Sequence, residues 1–461
     1  MIANRETMKR FEWHWLAISS LLLVIAATAE VRPRYGGTLH VEMHAAPTSL
    51  DPVQLVAADS IGAASLTSLL FDTLVTIDDS GHVQPFLAES WQNSRGNQLW
   101  EFHLRRGVNF PDGSVLTGEV AAASLRVANP SWKITSQENM VTIEVDSADA
   151  EMLAQLALPR NAIAKRDAQV SGTGQFHIAN WQPGKMLMLA ANEDCWRGRP
   201  FLDGIEVEMG KSFRDQMAAF ELRKAEIAEL APDQMRRVVQ EGRAMTSSAR
   251  VELLALMFAK DAASPEERQL RQALGLSIDR SSIRNVLLQG AGEPAGGLLP
   301  AAISGYGFVF PATPDLQKAR QLRGDIRTIP NWTLGYDGSD PLSRILAERI
   351  ALNARDAGLS LRPTNAADSD LRLAKIPIAS SDPSVALSEL LTRTGLPLSK
   401  TMGASAQDLF TQEQAALATE RILPLFHLPV TYATAPTVKD SDVNLDGTLN
   451  LQHAWLENSR P

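Results

Sequence analysis

LWEFHLRRGVNFPDGSVLTGE, residues 99–119, carries the densest set of local signals in the chain. Trp100, Phe102 and Leu104 share one parity and Glu101 and His103 the other, the period of two expected of a strand with one buried face. Arg105, Arg106 and Gly107 end that strand, Asp112-Gly113 supplies a turn, and Thr117 stands where a helix cap belongs. Upstream, residues 37–43 (GTLHVEM) alternate in the same way, and turn residues 47–52 close them. Leu66, Leu69, Leu70 and Leu74 then recur at helical spacing over 61–74, before a hairpin-type turn at 78–81 (DDSG). Downstream, 141–145 and 186–190 read as strands, and Met217, Phe220, Ile227 and Leu230 suggest one helical stripe over 215–230. Residues 251–259 form a nearly continuous apolar run, which suits a strand buried on both faces. Helices are expected over 265–276 and 281–288, the first opened by a capping box of Ser264 and Glu267. The pattern is mixed α/β throughout, without repeats.

The N-terminus directs the compartment. Lys9 and Arg10 precede LAISSLLLVIAATA (16–29), an uncharged run too short to span a bilayer comfortably and ending in the small-x-small pattern Ala27-Thr28-Ala29. A signal peptide over 1–29, cut after Ala29 to release a soluble periplasmic product, is the expectation. With no cysteine near that junction, lipid attachment is not expected. Cys195 is the only cysteine of the 461 residues, so no intrachain disulfide can form and stability must come from packing. A net charge of −9 argues against nucleic acid, which needs clustered Lys and Arg, and serves solubility instead.

Enzyme signatures are absent: no HExxH, CxxC, P-loop or GxSxG occurs. Gly290 to Ala295 fits G-x-G-x-x-A but follows a helical segment and contains Pro294, against a dinucleotide turn. His40 and His44 on one strand face would stand about 13 Å apart, too far for one ion. Asp51, Asp59, Asp78, Asp79 and Asp112 are scattered, as turn and cap residues are. No catalytic residue, metal ligand or cofactor is therefore expected. Trp132, Trp181, Trp196, Trp332 and Trp455 are candidates for stacking on a ligand, and Arg344, Arg349 and Arg355 on a helix over 341–357 read as a solvated face.

The order of these motifs resembles the family 5 extracellular solute-binding proteins of ABC importers, which include dipeptide-, oligopeptide- and nickel-binding members. The resemblance runs through GGTL (36–39), TSLDP (48–52), FDTLVTIDDSGHVQPFLAESWQ (71–92) and the 99–119 segment. It continues through SGTGQFHIANWQPG (171–184), then ANEDCWRGRPFLDGIEVE (191–208) with Asn192, Trp196, Gly198 and Pro200, then ERQLRQALGLSIDRSSI (267–283) and LPLFHLP (423–429). It implies a bilobal periplasmic binding protein of type 2, cluster C-like, with lobes joined by a two-segment hinge and an extra subdomain inserted in the first. The implied division is lobe I over 30–51, 168–255 and 425–461, the insert over 52–167, and lobe II over 256–424. Hinge crossings are expected near 254–260 and 422–428.

The same resemblance implies a monomer that closes on a small peptide-like solute and hands it to ABC permease subunits, with ATP used by a separate subunit. It places ligand contacts at Val56, Ala57, Ala58 and Asp59 on one wall and at Ile378, Ala379, Ser380, Ser381 and Asp382 on the other. In dipeptide and oligopeptide binders an Asp three residues before the acid of an Asp-Pro pair meets the ligand's ammonium; here that position is Ala379. A buried amine without a carboxylate costs several kcal/mol, so ordinary di- and tripeptides are expected to bind weakly unless Asp382 or Asp59 substitutes. A blocked or cyclic peptide, a glycoside, an opine or a metal chelate stands as the alternative ligand. A peptide scavenger or a sensory domain of the same fold is the alternative role.

Overall fold

Two long neighbouring strands, Met245–Phe258 and Ile422–Thr434, form the spine of a computed structural model that describes residues 32–57, 60–78, 80–307, 310–399 and 405–457. The expected signal peptide, Ala58 and Asp59 lie outside the described residues. The two strands run antiparallel within an eleven-stranded sheet. Beyond one end, Ile422–Thr434 pairs Ile227–Glu229, which leads through Thr38–Glu42 and Gly204–Glu208 to the hairpin Met186–Ala191 and Phe176–Gln182. On the other side, Met245–Phe258 pairs Leu371–Pro377, followed by Asn331–Gly335 and Ser360–Thr364.

Packing divides this one sheet into two lobes. Leu39, Val41, Leu66, Phe71, Ile205, Ile227 and Val251 share one core. In the second lobe Leu254 and Leu256 enter one cluster while Leu253 and Ala255 enter another, because successive side chains of a strand leave opposite faces. This is why 251–259 reads as a nearly continuous apolar run. The change of core falls between Val251 and Leu253 on the outward strand and between Leu428 and Val430 on the return. The lobes therefore part at about residues 252 and 429, whereas the sequence suggested 254–260 and 422–428. A strand covered on both faces has the same composition whichever lobe covers it, so the crossing leaves no compositional mark.

A third core belongs to the insert. Trp100, Phe102, Leu104, Leu125, Val141 and Ile143 pack between the four-stranded sheet Ala88–Ser94, Leu99–Leu104, Met140–Glu144, Lys133–Gln137 and the helix Gly118–Ala128. Thr117 caps that helix by accepting from the Val120 N–H, and Asp112 accepts from the Ser114 N–H and hydroxyl in the turn before it. This core runs from Leu74 to Ile163. The helix Ile61–Leu70 instead buries Ile61, Leu66, Leu69 and Leu70 in lobe I, so the insert starts later than residue 52. The stripe over 215–230 also divides: Phe213–Glu221 is a helix, while Ile227 lies on a sheet strand. Apolar residues three and seven apart met the helical template there by coincidence of two elements.

Lobe II buries two titratable groups around one backbone segment. Glu413, fully buried, accepts from the Leu298 N–H, and His427 meets the Leu298 carbonyl at 3.1 Å through Nε2. Burial pushes the Glu413 carboxyl up to about 7 and the His427 imidazole down to about 4. With Glu413 raised, the unfolded chain ionises first, so its contribution to stability is complete below about pH 4.5 and is lost as pH rises through 7. His427 acts oppositely, its contribution being lost as pH falls below about 6.5 toward 4. Glu413→Gln removes only the first slope. Between pH 4.5 and 7.5 the native protein is expected to lose about 3 kcal/mol relative to this variant in urea unfolding; parallel curves for the two proteins would contradict the assignment.

Candidate functional site

Two spaces open between the lobes. The first, of about 370 Å³, is roofed by the lobe I helix Ile61–Leu70 through Ala64, Thr67 and Ser68. Lobe II contributes Ala379, Ser380 and Ser381, and the C-terminal hairpin Asp442–Val443 and Leu449–Asn450 contributes its tip, Asn444 to Asp446 and Thr448. At its edge the lobes touch: Ala154 and Leu158 of the insert pack on Val385 and Ala379, and Arg160 forms an ion pair with Glu389. This clamp holds the lobes closed over the space.

The back wall rests on Asp72, which is 1% exposed. Its carboxylate accepts from the Thr173 hydroxyl at 2.8 Å, Trp196 Nε1 at 2.9 Å and Arg197 Nη2 at 2.9 Å. Arg197 lies over the Phe86 ring and Arg105 over the Trp196 ring. Three separate sequence motifs, around Asp72, Thr173 and Trp196, thus converge on one buried charge at the seam of lobe I and the insert.

The second space, of about 610 Å³, lies beside the hinge strands. His44 of lobe I stacks on Phe213, takes the Glu229 carboxylate on its own N–H at 3.0 Å, and reaches Asp337 of lobe II at 3.4 Å. Lys375 stands 3.7 Å from Asp340 and faces Glu252. Burial pushes the Glu252 carboxyl up, and the surrounding carboxylates of Glu252 and Asp340 hold Lys375 above its usual range although burial alone would lower it. Of these contacts, the one between His44 and Asp337 crosses from one lobe to the other.

Of the residues suggested as ligand contacts, Ala379, Ser380 and Ser381 line the first space. Ile378 is buried in the lobe II core and borders only a 30 Å³ annex behind Ala379. Asp382 caps the helix Pro383–Thr394, accepting from the Val385 N–H at 2.9 Å, and borders none of these spaces. The backbone of Val56 and Ala57 belongs to the helix Pro52–Ala57, beside the turn Pro159–Asn161. Among the described residues no tryptophan borders either large space. Trp332 packs against Phe258 in lobe II, Trp455 is bonded to Asp440, and Trp132, Trp181 and Trp196 pack against cores. The hairpin tip at 444–448 was not anticipated. Its Asp446-Gly447 turn is visible in the sequence, but nothing local tells where the turn docks.

Among the described residues no group of His, Cys, Asp and Glu side chains is arranged to hold a metal ion, and no helix is long and apolar enough to cross a membrane. Two lobes on a pair of strands, shut over a polar space, make this a protein built to enclose a solute. The model of the bacterial extracellular solute-binding proteins, family 5 Middle, matches residues 82–397, and the chain belongs to this family. It is 24% identical over 295 residues to the nickel-binding protein NikA of Staphylococcus aureus, covering 60% of this chain and 58% of that protein. The di/tripeptide-binding protein 2 of Pseudomonas aeruginosa is 23% identical over 386 residues, 71% of each chain. The periplasmic binding protein DppA of Helicobacter pylori, solved with the peptide STSA, superposes with a TM-score of 0.80 at 18% identity, covering 92% of this chain and 99% of that one.

Proposed function

We propose that this chain is the substrate-binding component of an ABC importer, enclosing a small peptide-like solute between its lobes and delivering it to membrane permease subunits and their ATPase. The observation that carries this reading is the 370 Å³ space closed between lobes that only two strands connect. A solute held there is withdrawn from water on all sides, and it favours the closed form only by its greater affinity for that form. Relatives named for nickel and for di- and tripeptides support a transport role. In this role the protein makes and breaks no bond, needs no cofactor and works as a periplasmic monomer after cleavage behind Ala29. Val56 and Ala57, with Ser380 and Ser381 opposite, remain the proposed ligand walls. A non-peptide solute such as a glycoside, an opine or a metal chelate is the second reading, favoured by Ala379 at the wall where a carboxylate would meet a peptide ammonium.

Mass spectrometry of the solute released on denaturing protein purified from its own periplasm, followed by scattering on the stripped protein, tests the reading. Adding the recovered solute is expected to shrink the radius of gyration and raise the melting temperature. If no solute is retained and a periplasmic extract leaves the melting temperature unchanged, the transport role is wrong.

A further inference from the structure

The described lining of the first interlobe space combines carboxylates and neutral polar groups with apolar side chains such as Phe71, Ile77, Phe86 and Leu158, and includes no Lys, Arg or His. Three carboxylates among the described residues border it, and two are occupied. Asp72 is bonded to Thr173, Trp196 and Arg197, and Asp78 accepts from the Ser80 and His82 N–H groups and from Gln84 Nε2. Asp446 is different. Its Oδ1 accepts from the Thr448 N–H at 2.9 Å and the Thr448 hydroxyl at 2.6 Å, while no side chain among the described residues donates to Oδ2. Asp446 also borders the 30 Å³ annex together with Ala379, so it stands across from the wall that lacks an acid.

The position of Asp446 is held firmly. Gly447 has φ +84°, and a Cβ there would lie 2.6 Å from Val251 Cγ2 and 3.2 Å from Ile61 Cγ2, so the hairpin tip is pressed between the hinge strand and the lobe I helix. The Leu449 N–H donates to the Ser65 hydroxyl at 2.9 Å, and Asn444 Nδ2 to Thr448 Oγ1 at 2.9 Å. On the same cavity wall the Thr67 hydroxyl, in a residue 2% exposed, has no hydrogen-bond partner. Arg393 borders the annex and is itself engaged.

We infer that Asp446 is the specificity-determining carboxylate of the cleft, receiving an ammonium or guanidinium group of the solute, and that the cleft takes a cation without a free carboxylate. This rests on the cleft being the solute site proposed above. A charge-assisted bond to a carboxylate in a partly desolvated site outweighs a neutral one, whereas a ligand carboxylate here would meet acids with no cation among the described residues that line the space. Burial raises the Asp446 carboxyl, and a cationic ligand would relieve that cost.

Calorimetry on stripped protein with alanyl-alaninamide, N-acetyl-alanyl-alaninamide and N-acetyl-alanyl-alanine separates cation, neutral molecule and anion on one framework. The cation is expected to bind at least about tenfold more tightly than the neutral peptide, and the anion least. Asp446→Asn, which keeps the acceptor for Thr448, is expected to erase that preference. Equal binding of cation and neutral peptide by the native protein, tightest binding of the anion, or an unaltered preference in the variant would each overturn the inference. If none of the three binds while periplasmic extract still raises the melting temperature, the inference fails and the transport role stands. If the extract has no effect either, both fall.

Discussion

Arg197→Ala is expected to cost about 3 kcal/mol of unfolding free energy, because it strips the one cation paired with Asp72 among the described residues from a carboxylate that is almost fully buried. Asp72 is 1% exposed and the Arg197 side chain 12%, so the pair is buried and little screened by solvent. Thr173 and Trp196 remain as neutral donors, which is why the effect falls at the lower end of what removal of one member of a buried pair brings. The loss of the guanidinium from the Phe86 ring, 5.0 Å away, adds to it. The cycle is completed by Asp72→Asn, which removes the charge and keeps the shape. Asp72→Asn with Arg197→Ala should be more stable than Arg197→Ala alone, since the uncompensated charge is gone. Urea denaturation of the four proteins decides the matter: a loss below 1 kcal/mol in Arg197→Ala would mean that the carboxylate is solvated after all.

Gly174→Ala should be at least as damaging, by about 3 kcal/mol or more. A Cβ on residue 174 would stand 2.5 Å from the Leu69 carbonyl oxygen and from the Leu70 carbonyl carbon. Both are main-chain atoms at the end of the helix Ile61–Leu70, so no rotamer change can make room. The Gly174 N–H also donates to the Leu70 carbonyl at 3.1 Å, and Asn192 Nδ2 donates to the Gly174 carbonyl at 3.0 Å. The segment is therefore held on both sides at a separation that only a residue without a side chain permits. Displacing it carries Thr173 away from Asp72, so this variant and Arg197→Ala share one network and their effects should sum to less than the separate losses. A far-ultraviolet melting curve unchanged from the native protein would show that the backbone can yield here.

These two residues show how far the chain could be read and where reading stopped. SGTG and the Asn192 to Pro200 pattern were visible in the sequence as motifs that resemble those of the family. That Asp72, Thr173 and Arg197 meet depends on contacts across more than 100 residues, which no local period records. The residues suggested as ligand walls lie unevenly about the cleft for the same reason. Ser380 and Ser381 reach the cleft, while Asp382 is taken up by a helix N-terminus, as an Asp before Pro often is.

Strand and helix segments, the α/β class and the family's motif order were legible in the amino acids alone, since period, caps and turns act over a few residues. The point at which the hinge strands pass from one core to another was set by packing, because a strand covered on both faces is equally apolar in either lobe. So was the delivery of Asp446 to the cleft. Its hairpin is an ordinary Asp-Gly turn until Val251, Ile61 and Ser65, each far away along the chain, close around it.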